Sequence, residues 1–417
     1  MSLLARTWAA ARFGADLARA AALAATTRHV PTAPAAPAAD QEVHFLIEGD
    51  PLRDLSPAAR YRAVQFVPLL DQLGFHCRLW PSRPGKYFTA ASGWQRRYRF
   101  SRHLAMAEAW LGACNQRRHR RADFRAIAGR GVVFLQRDLT TAATADLERE
   151  LPLHNRHVVF DFDDAIWRLP PWCRGTAAAA HEAAGERKIA TLCGLATTVI
   201  AANPHLADFA RQHCAAVHVL PTVLDTDSFV PGPARTQRER LVIGWAGTSG
   251  NLHYLRPLAP ALQRLVREHP FVLRIVCNRV EPHELGELSQ LPHEFVSWNA
   301  VDEVARLQDF DVGIMPLDDD PWARGKAGFK LVQYMACGVP FVASPVGANP
   351  ATGGADGEAG LYADDLAAWT ERLAALLADA GLRRRLGQAG RQRAVAHFDR
   401  RRLAPQLATI LREAARA

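Results

Sequence analysis

The stretch that decides the fold is DDDPWARGKAGFKLVQYMACGVP, which runs from Asp318 to Pro340. Apolar runs at 311–316 and 341–344 flank it, and each is predicted to be a buried strand. Between the strands, a polar loop with glycines leads into a predicted helix from Phe329 to Cys337. Gly338 follows the helix as a cap and Pro340 prevents its continuation. This order of strand, loop, helix and strand is typical of a parallel α/β sheet.

Two lysines, Lys326 and Lys330, lie four residues apart where this loop enters the helix. The chain has 51 lysines and arginines, of which only four are lysines. A compact ammonium group beside a helix N-terminus, with its free N–H groups and partial positive charge, suits a phosphate. We therefore expect an anion site here, for a diphosphate. The alternative is a solvated basic turn.

The alternation of strands and helices continues through most of the 417 residues. In the first half the predicted strands are Val43–Glu48, Phe75–Trp80, Val132–Gln136, Val158–Phe162, Thr197–Ala201 and Val217–Leu220. In the second half they are Leu241–Trp245, Phe271–Cys277, Phe295–Ser297, Asp311–Met315, Phe341–Ser344 and Gly360–Tyr362. We predict an α/β fold of two tandem Rossmann-like domains, each a doubly wound parallel sheet. Ligands of such sheets bind beyond the carboxyl ends of the strands, in the cleft between the domains.

Proline and glycine at 230–233 mark the boundary between the two domains. The N-terminal domain is predicted to span residues 41–232, and the C-terminal domain residues 233–395. Residues 396–417 are predicted to form a closing helix that packs back on the N-terminal domain. Residues 1–40 are predicted to be a basic helix followed by a Pro/Ala linker.

The net charge of +9 indicates an anionic partner. Between Arg96 and Arg130, ten arginines accompany two acids, yet no nucleic-acid-binding motif is present, so nucleic acid is not the expected partner. An anionic lipid surface or an acidic glycan fits this charge. The seven cysteines are scattered and no apolar run is long enough to span a membrane. We expect a cytoplasmic protein, peripheral on the inner face of the membrane.

Two further stretches contain residues suited to chemistry. The turn after the first strand of the second half holds Gly247 and Thr248, which suit close approach of a phosphate or simply form a tight βα turn. Asp161, Asp163 and Asp164 end a strand of the first half and should face the cleft. Such acids can bind a metal, act as a phosphorylated nucleophile, position a substrate hydroxyl, or only cap a helix.

These motifs together resemble the retaining GT-B-fold glycosyltransferases of family 4, the glycosyl transferases group 1. The resemblance covers the chain from about Val43 onward. Residues 330–343, KLVQYMACGVPFVA, resemble the helix and strand that carry the second family glutamate, and residues 158–164, VVFDFDD, resemble the strand that ends in the catalytic His-Asp. Residues 203–207 and 220–227 are similar to the segment before the linker, and Gly247 lies in the donor loop.

The chain departs from the family pattern at several positions. Gln333 and Gly325 stand where the family has its two glutamates, and Asp163 stands where it has a histidine. The basic residues of the donor loop are replaced by Trp245 and Gly250. The positive charge for phosphate must then come from Lys326, Lys330 and Arg324, which are outside that loop.

The resemblance implies a sugar transferase that retains anomeric configuration and uses a nucleotide diphosphate sugar. The acceptor is a glycan, a lipid-linked group or a small molecule. We expect neither metal nor cofactor, because lysines and a helix terminus supply the positive charge. The implied catalytic residues are Asp163, Lys326 and Lys330; the donor-binding residues are Gly247, Thr248, Arg324, Lys326, Lys330 and Gln333; the acceptor-side residues are Asp161, Asp163 and Asp164.

Gln333 is expected to reach the ribose of the donor, and on this interpretation Gln333→Glu is tolerated while Gln333→Leu raises the donor KM. If Gln333 is a structural contact instead, Gln333→Leu lowers thermal stability alone. Two other functions fit the same architecture. One is a sugar-nucleotide epimerase, which needs no acceptor, and the other is a degenerate GT-B module that only binds a glycan or a partner.

Overall fold

The structure, a computed structural model, describes residues 41–49, 56–83, 102–170, 173, 175, 177–233 and 239–417. Two six-stranded sheets form its two domains, and every strand pairing within them is parallel. Helices cover both faces of each sheet, which is why central strands such as β3, β4 and β10 are completely buried. The predicted α/β class with two Rossmann-like domains is confirmed.

Each domain contributes six strands. Those of the N-terminal domain are β1 (Glu42–Ile47), β2 (His76–Pro81), β3 (Val132–Gln136), β4 (Val158–Phe162), β5 (Thr198–Ala201) and β6 (Val217–Val219). Those of the C-terminal domain are β7 (Leu241–Gly247), β8 (Phe271–Cys277), β9 (His293–Ser297), β10 (Val312–Met315), β11 (Phe341–Ala343) and β12 (Gly360–Tyr362). All twelve predicted strands are present within one or two residues of their predicted bounds.

The strand order places a crevice in each domain. The first sheet has the order β2-β1-β3-β4-β5-β6 and the second the order β12-β11-β10-β7-β8-β9. The direction of winding therefore reverses between β1 and β3 in the first sheet and between β7 and β10 in the second. Ligands of doubly wound sheets bind at such switch points, outside the carboxyl ends of the strands.

The helices connect and cover these strands. Those of the N-terminal domain are α1 (Pro57–Arg62), α2 (Val67–Gln72), α3 (Arg102–Ala126), α4 (Leu151–His154), α5 (Ala178–Leu195) and α6 (Pro204–Arg211). After β7 come α7 (Ala259–Glu268), α8 (Pro282–Leu285), α9 (Glu303–Gln308), α10 (Pro321–Arg324), α11 (Phe329–Ala336), α12 (Asn349–Gly353), α13 (Leu366–Ala378), α14 (Ala380–His397) and α15 (Arg400–Arg416). Short 3-10 helices lie at Val64–Phe66, Glu148–Glu150, Ser249–Leu258 and Gly286–Gln290.

Local sequence signals explain where several helices begin. The Ser56 side chain accepts a hydrogen bond from the N–H of Ala59 at the start of α1, as a cap followed by proline predicts. Asn203 caps α6 in the same way. After β7 the sequence favours a glycine-containing turn before any helix. The segment begins with the 3-10 helix Ser249–Leu258, and regular α-helix follows only from Ala259.

The hydrophobic core is continuous between the domains. One cluster of buried side chains joins Phe45 and Phe134 of the first sheet to Leu331 and Phe341 of the C-terminal domain. Separate clusters cover the other face of each sheet. Burial on this scale fixes the position of the two domains relative to each other.

The closing helix α15 crosses from the C-terminal domain to the N-terminal domain. It packs against α2, β3 and β4, with Leu403, Leu407 and Leu411 buried in the shared core. Arg412 donates a 2.9 Å hydrogen bond to the carbonyl oxygen of Leu73. The chain turns at Phe398, between α14 and α15.

The predicted basic helix and linker at residues 1–40 lie outside the described residues. In the part of the chain that the structure describes, no helix has both the length and the apolar character of a membrane span.

Candidate functional site

The loop and helix quoted at the outset lie at the switch point of the second sheet. Helix α11 follows Gly328, whose φ of +68° is a backbone conformation that glycine adopts without strain. Tyr334 anchors the helix, because its buried hydroxyl accepts from the N–H of Ala246 on β7 and donates to the carbonyl of Ile314 on β10, at 3.2 Å each. Helix α11 is therefore held against the carboxyl-terminal parts of the two central strands.

Lys326 and Lys330 are together in this crevice, as predicted. The Lys330 ammonium lies 5.5 Å from the ring centroid of Trp245, and the Lys326 ammonium lies 5.0 Å from that of Trp322. Burial, followed by the neighbouring Lys326, lowers the pKa of Lys330 to about 8, and burial also lowers the pKa of Lys326. Neither lysine forms a salt bridge within 4.0 Å among the described residues. Two desolvated ammonium groups at a helix N-terminus are suited to a strongly charged anion, and the binding of an anion here stays a prediction.

Gly247 ends β7 beside the lysines. A side chain there would begin 2.8 Å from the Trp245 ring and 3.0 Å from Cε of Lys330, so any larger residue would displace the lysine. Thr248 follows as an exposed residue whose hydroxyl accepts a 2.9 Å hydrogen bond from Asn251. Both residues border the crevice where the sequence predicted them, and their contact with a donor stays a prediction.

Arg324 forms an exposed ion pair with Asp319. Its exposed guanidinium donates to both carboxylate oxygens of Asp319, at 2.6 and 2.9 Å. The local sequence explains this pairing, since the acidic run at 318–320 caps and precedes α10. The expected contact of Arg324 with phosphate stays a prediction; in this structure Asp319 matches the charge of its guanidinium.

Gln333 makes an internal hydrogen bond. The side chain is only 8% exposed, and its amide N–H donates a 2.9 Å hydrogen bond to Glu303. It shares the face of α11 with Lys330, as expected from the spacing. Its contact with a ribose stays a prediction, and its observed partner Glu303 also accepts hydrogen bonds from Arg60 and Tyr61 of the N-terminal domain. The spacing along the helix could not reveal this, because Glu303 lies 30 residues away.

Asp161 was predicted to lie on the acceptor side, and the structure contradicts this. Its side chain is 1% exposed and receives hydrogen bonds of 3.1 and 3.2 Å from Nε of Arg62. Burial raises the pKa of Asp161, and the Arg62 charge opposes that rise. Asp161 therefore belongs to an internal ion pair and does not reach the cleft.

Asp163 and Asp164 follow β4 and lie at the crevice of the first sheet. One arginine holds both, because Arg137 donates from Nε to Asp163 at 2.6 Å and from Nη2 to Asp164 at 2.9 Å. Burial opposes the ionisation of Asp163, but Arg137 outweighs it and keeps the pKa of Asp163 below its usual value. Burial raises the pKa of Asp164. Two adjacent carboxyl groups therefore differ, Asp163 being the more firmly ionised.

Arg137 was missed by the sequence analysis. It directly follows β3, which ends beside β4, and its φ of +57° is unusual for a residue with a side chain. The available signal was its position at the carboxyl end of a predicted strand, next to the switch point between β1 and β3. The arginine-rich composition of the chain hid that signal.

The two walls face each other across the cleft. Burial raises the pKa of Asp164, and the positive charges of Lys326 and Lys330 partly oppose this rise because both lysines lie near the carboxyl group. Beside them, Asn203 of the N-terminal domain donates a 3.2 Å hydrogen bond to the carbonyl of Gly325. A Cβ at Gly325 would overlap that of Ala165, so this position, where the resemblance has a glutamate, holds glycine for close contact between the domains.

Residues 240–379 match the family model described as glycosyl transferases group 1. The match covers β7 to α13, and therefore includes Gly247, both lysines and Gln333.

A curated relative extends the likeness beyond this region. An MMP alpha-(1->4)-mannosyltransferase from Mycolicibacterium hassiacum is 31% identical over 232 residues, which are 53% of this chain and 54% of the relative. The chain thus spans about half the length of the curated relative it matches.

Solved structures match over nearly the whole described chain. The sucrose-phosphate synthase of Thermosynechococcus elongatus superposes with a TM-score of 0.65 at 18% identity, covering 89% of this chain and 98% of that one. The HepE protein of Anabaena, in complex with UDP-glucose, superposes with a TM-score of 0.60 at 14% identity, covering 89% of this chain and 99% of that one. These likenesses concern the fold, and the two-domain architecture is that of GT-B glycosyltransferases.

Proposed function

We propose that the protein is a glycosyltransferase that takes a nucleotide diphosphate hexose and transfers the sugar with retention of configuration. The observation that carries this proposal is the lysine pair at the N-terminus of α11, opposite Asp163 and Asp164. The family match over residues 240–379 and the mannosyltransferase relative support the same activity. The UDP-glucose held by the Anabaena protein supports a nucleotide sugar as donor.

In this proposal the lysines act on the leaving group. As the bond between sugar and diphosphate breaks, negative charge grows on the phosphate oxygen. Lys326, Lys330 and the N–H groups at the start of α11 stabilise that charge more in the transition state than in the ground state. No metal is needed for this neutralisation. Gly247 and Thr248 lie where the backbone can approach the diphosphate.

The acceptor is proposed to bind against the opposite wall. Asp163, kept ionised by Arg137, would accept the hydrogen bond of the attacking hydroxyl and orient it. The acceptor is a glycan, a lipid-linked group or a small molecule. The close approach of Gly325 to Ala165 narrows the cleft and helps to exclude water, which would otherwise hydrolyse the donor.

An anionic membrane surface is proposed as a further partner. On α3, the exposed Met106 and Trp110 lie on the same face as Arg118 and Arg125, at spacings that are multiples of about one helical turn. An apolar and basic face of this kind binds reversibly to anionic lipid. The seven cysteines are all unpaired, which supports a location at the cytoplasmic face.

The test is a screen followed by a product analysis. Thermal shifts of the purified protein with UDP, GDP and ADP and their hexose derivatives should identify a donor. Transfer to candidate acceptors is then followed by NMR, which should show the anomeric configuration of the donor in the product. Turnover of the donor without any acceptor would point to an epimerase instead. Binding to no nucleotide diphosphate would leave only a binding module.

A further inference from the structure

A buried polar contact joins the two domains beside the cleft. Glu303, at the start of α9, is 6% exposed. One of its oxygens, Oε2, accepts hydrogen bonds from Arg60 at 2.6 Å and from the Tyr61 hydroxyl at 2.9 Å, both on α1 of the N-terminal domain. The other, Oε1, accepts from the Gln333 amide at 2.9 Å. We refer to Arg60, Tyr61, Glu303 and Gln333 as the interdomain clamp.

Aromatic side chains pack around this contact. The Tyr61 ring lies 4.4 Å from that of Phe329, the first residue of α11, and 6.5 Å from that of Phe229 before the linker. The Arg60 guanidinium lies 4.8 Å from the centre of the Tyr61 ring. Because the carboxylate of Glu303 is buried, every hydrogen bond that it receives matters more than it would at the surface.

The single positive charge of the clamp balances only one carboxylate. Arg60 supplies one positive charge and Glu303 one negative charge, while Tyr61 and Gln333 are neutral donors. A glutamate at 333 would place a second carboxylate in hydrogen-bond range of the first, with no second cation in the clamp. Like charges in a buried site repel, and removal of a donor leaves an oxygen of Glu303 unpaired.

We propose that Gln333 is a positioning residue whose amide, through Glu303, holds α1 of the N-terminal domain against α11. The contact itself does not depend on the proposed function. Its role does rest on that function, because we infer that it keeps Asp164 opposite Lys326 and Lys330 during sugar transfer. The proposal assigns a reason for the amide at 333 that is independent of any ribose. It also reverses the expectation that Gln333→Glu is tolerated.

Hydrogen exchange in the absence of any donor tests the clamp. In Gln333→Glu, amides of residues 58–63 should exchange about tenfold faster or more, the effect expected from losing a hydrogen bond to a buried charge. Amides of β8, in the core of the C-terminal domain, should keep their wild-type rates. Gln388→Glu is the matched control, because Gln388 is an exposed residue of α14 and the change adds the same charge.

A charge exchange within the clamp completes the test. The double variant Glu303→Gln/Gln333→Glu again has one carboxylate and one amide, so exchange at residues 58–63 should return toward the wild-type rate. If Gln333→Glu does not fold, a folded double variant supports the clamp, and failure of both overturns it. Wild-type exchange in Gln333→Glu, or no recovery in the double variant, also overturns it.

A ribose role for Gln333 would give a different result. In that case Gln333→Leu weakens UDP binding while exchange at residues 58–63 stays at the wild-type rate, and the clamp proposal is wrong. Since exchange is measured without donor, a protein that transfers no sugar can still show the clamp. The two proposals can therefore fail separately.

Discussion

At the scale of single residues, the lysine pair is the feature on which the proposed donor binding depends. We expect Lys330→Ala and Lys326→Ala each to raise the Kd for UDP roughly ten- to hundredfold, because each removes a charge-assisted contact with a phosphate, worth about 1.5–3 kcal/mol. Isothermal titration calorimetry measures this directly. Arg324→Ala is the control, since the structure pairs that arginine with Asp319 and predicts a much smaller loss. Unchanged affinity in both lysine variants and their double variant would refute the site.

The lowered pKa of Lys330, about 8, gives donor binding an alkaline limit. A lysine with a lowered pKa is charged below that value and loses its charge as the pH rises through it. UDP affinity should therefore fall between pH 7 and pH 9.5, where an ordinary lysine would remain charged. Bound diphosphate opposes this loss, because an opposite charge stabilises the ammonium form.

The comparison that isolates this effect is Lys330→Arg. Its guanidinium keeps its charge throughout the range, so the decline of affinity with pH should be shallower than in the wild type. We attribute the decline of UDP affinity with pH that remains in Lys330→Arg to Lys326, whose pKa is also lowered. An equally steep decline in both proteins would mean that Lys330 does not contact the diphosphate.

At the scale of elements, helix α3 carries the proposed membrane contact. The full-length protein should sediment with anionic vesicles and not with neutral ones, and salt should weaken the binding, because Lys and Arg near such a surface contribute about 1 kcal/mol each. Arg118→Glu/Arg125→Glu should reduce the bound fraction strongly. Trp110→Ser should reduce it while leaving the salt dependence unchanged, since the indole is 67% exposed and uncharged.

A charge-matched control distinguishes binding through the exposed face of α3 from binding through the net positive charge of the protein. Arg384 and Arg385 are exposed on α14 of the C-terminal domain, and their double change to glutamate alters the net charge equally. That variant should bind vesicles nearly as well as the wild type. A loss as large as that of the α3 variant would show that net charge, rather than α3, governs binding.

At the scale of the whole molecule, the lysines lie across the cleft from Asp164, and their positive charge makes a metal unnecessary in the proposed reaction. Transfer should therefore persist after treatment with EDTA, measured as product formed per minute before and after chelation. Activity that returns only with Mn²⁺ or Mg²⁺ would contradict this. In that case Asp163 and Asp164 are the carboxylates available to the metal, because Asp161 is held by Arg62.

The sequence by itself determined the elements of both sheets. Buried parallel strands are continuous apolar runs and helices carry their own caps, so all twelve strands and helix α11 could be placed from local residues. The two lysines were found because a rare residue type recurred beside a helix start.

Only the tertiary structure decided which charges face the cleft. Asp161 and Asp163 are two residues apart, yet one is buried against Arg62, 99 residues away, and the other is held by Arg137. Gln333 is on the predicted helix face, but its partner network includes Tyr61, which bonds to Glu303 across 242 residues of sequence. Local patterns fix which side of an element a residue occupies. Which charged partner a side chain meets on that side depends on strand order and domain packing, because these bring together residues that are distant in sequence.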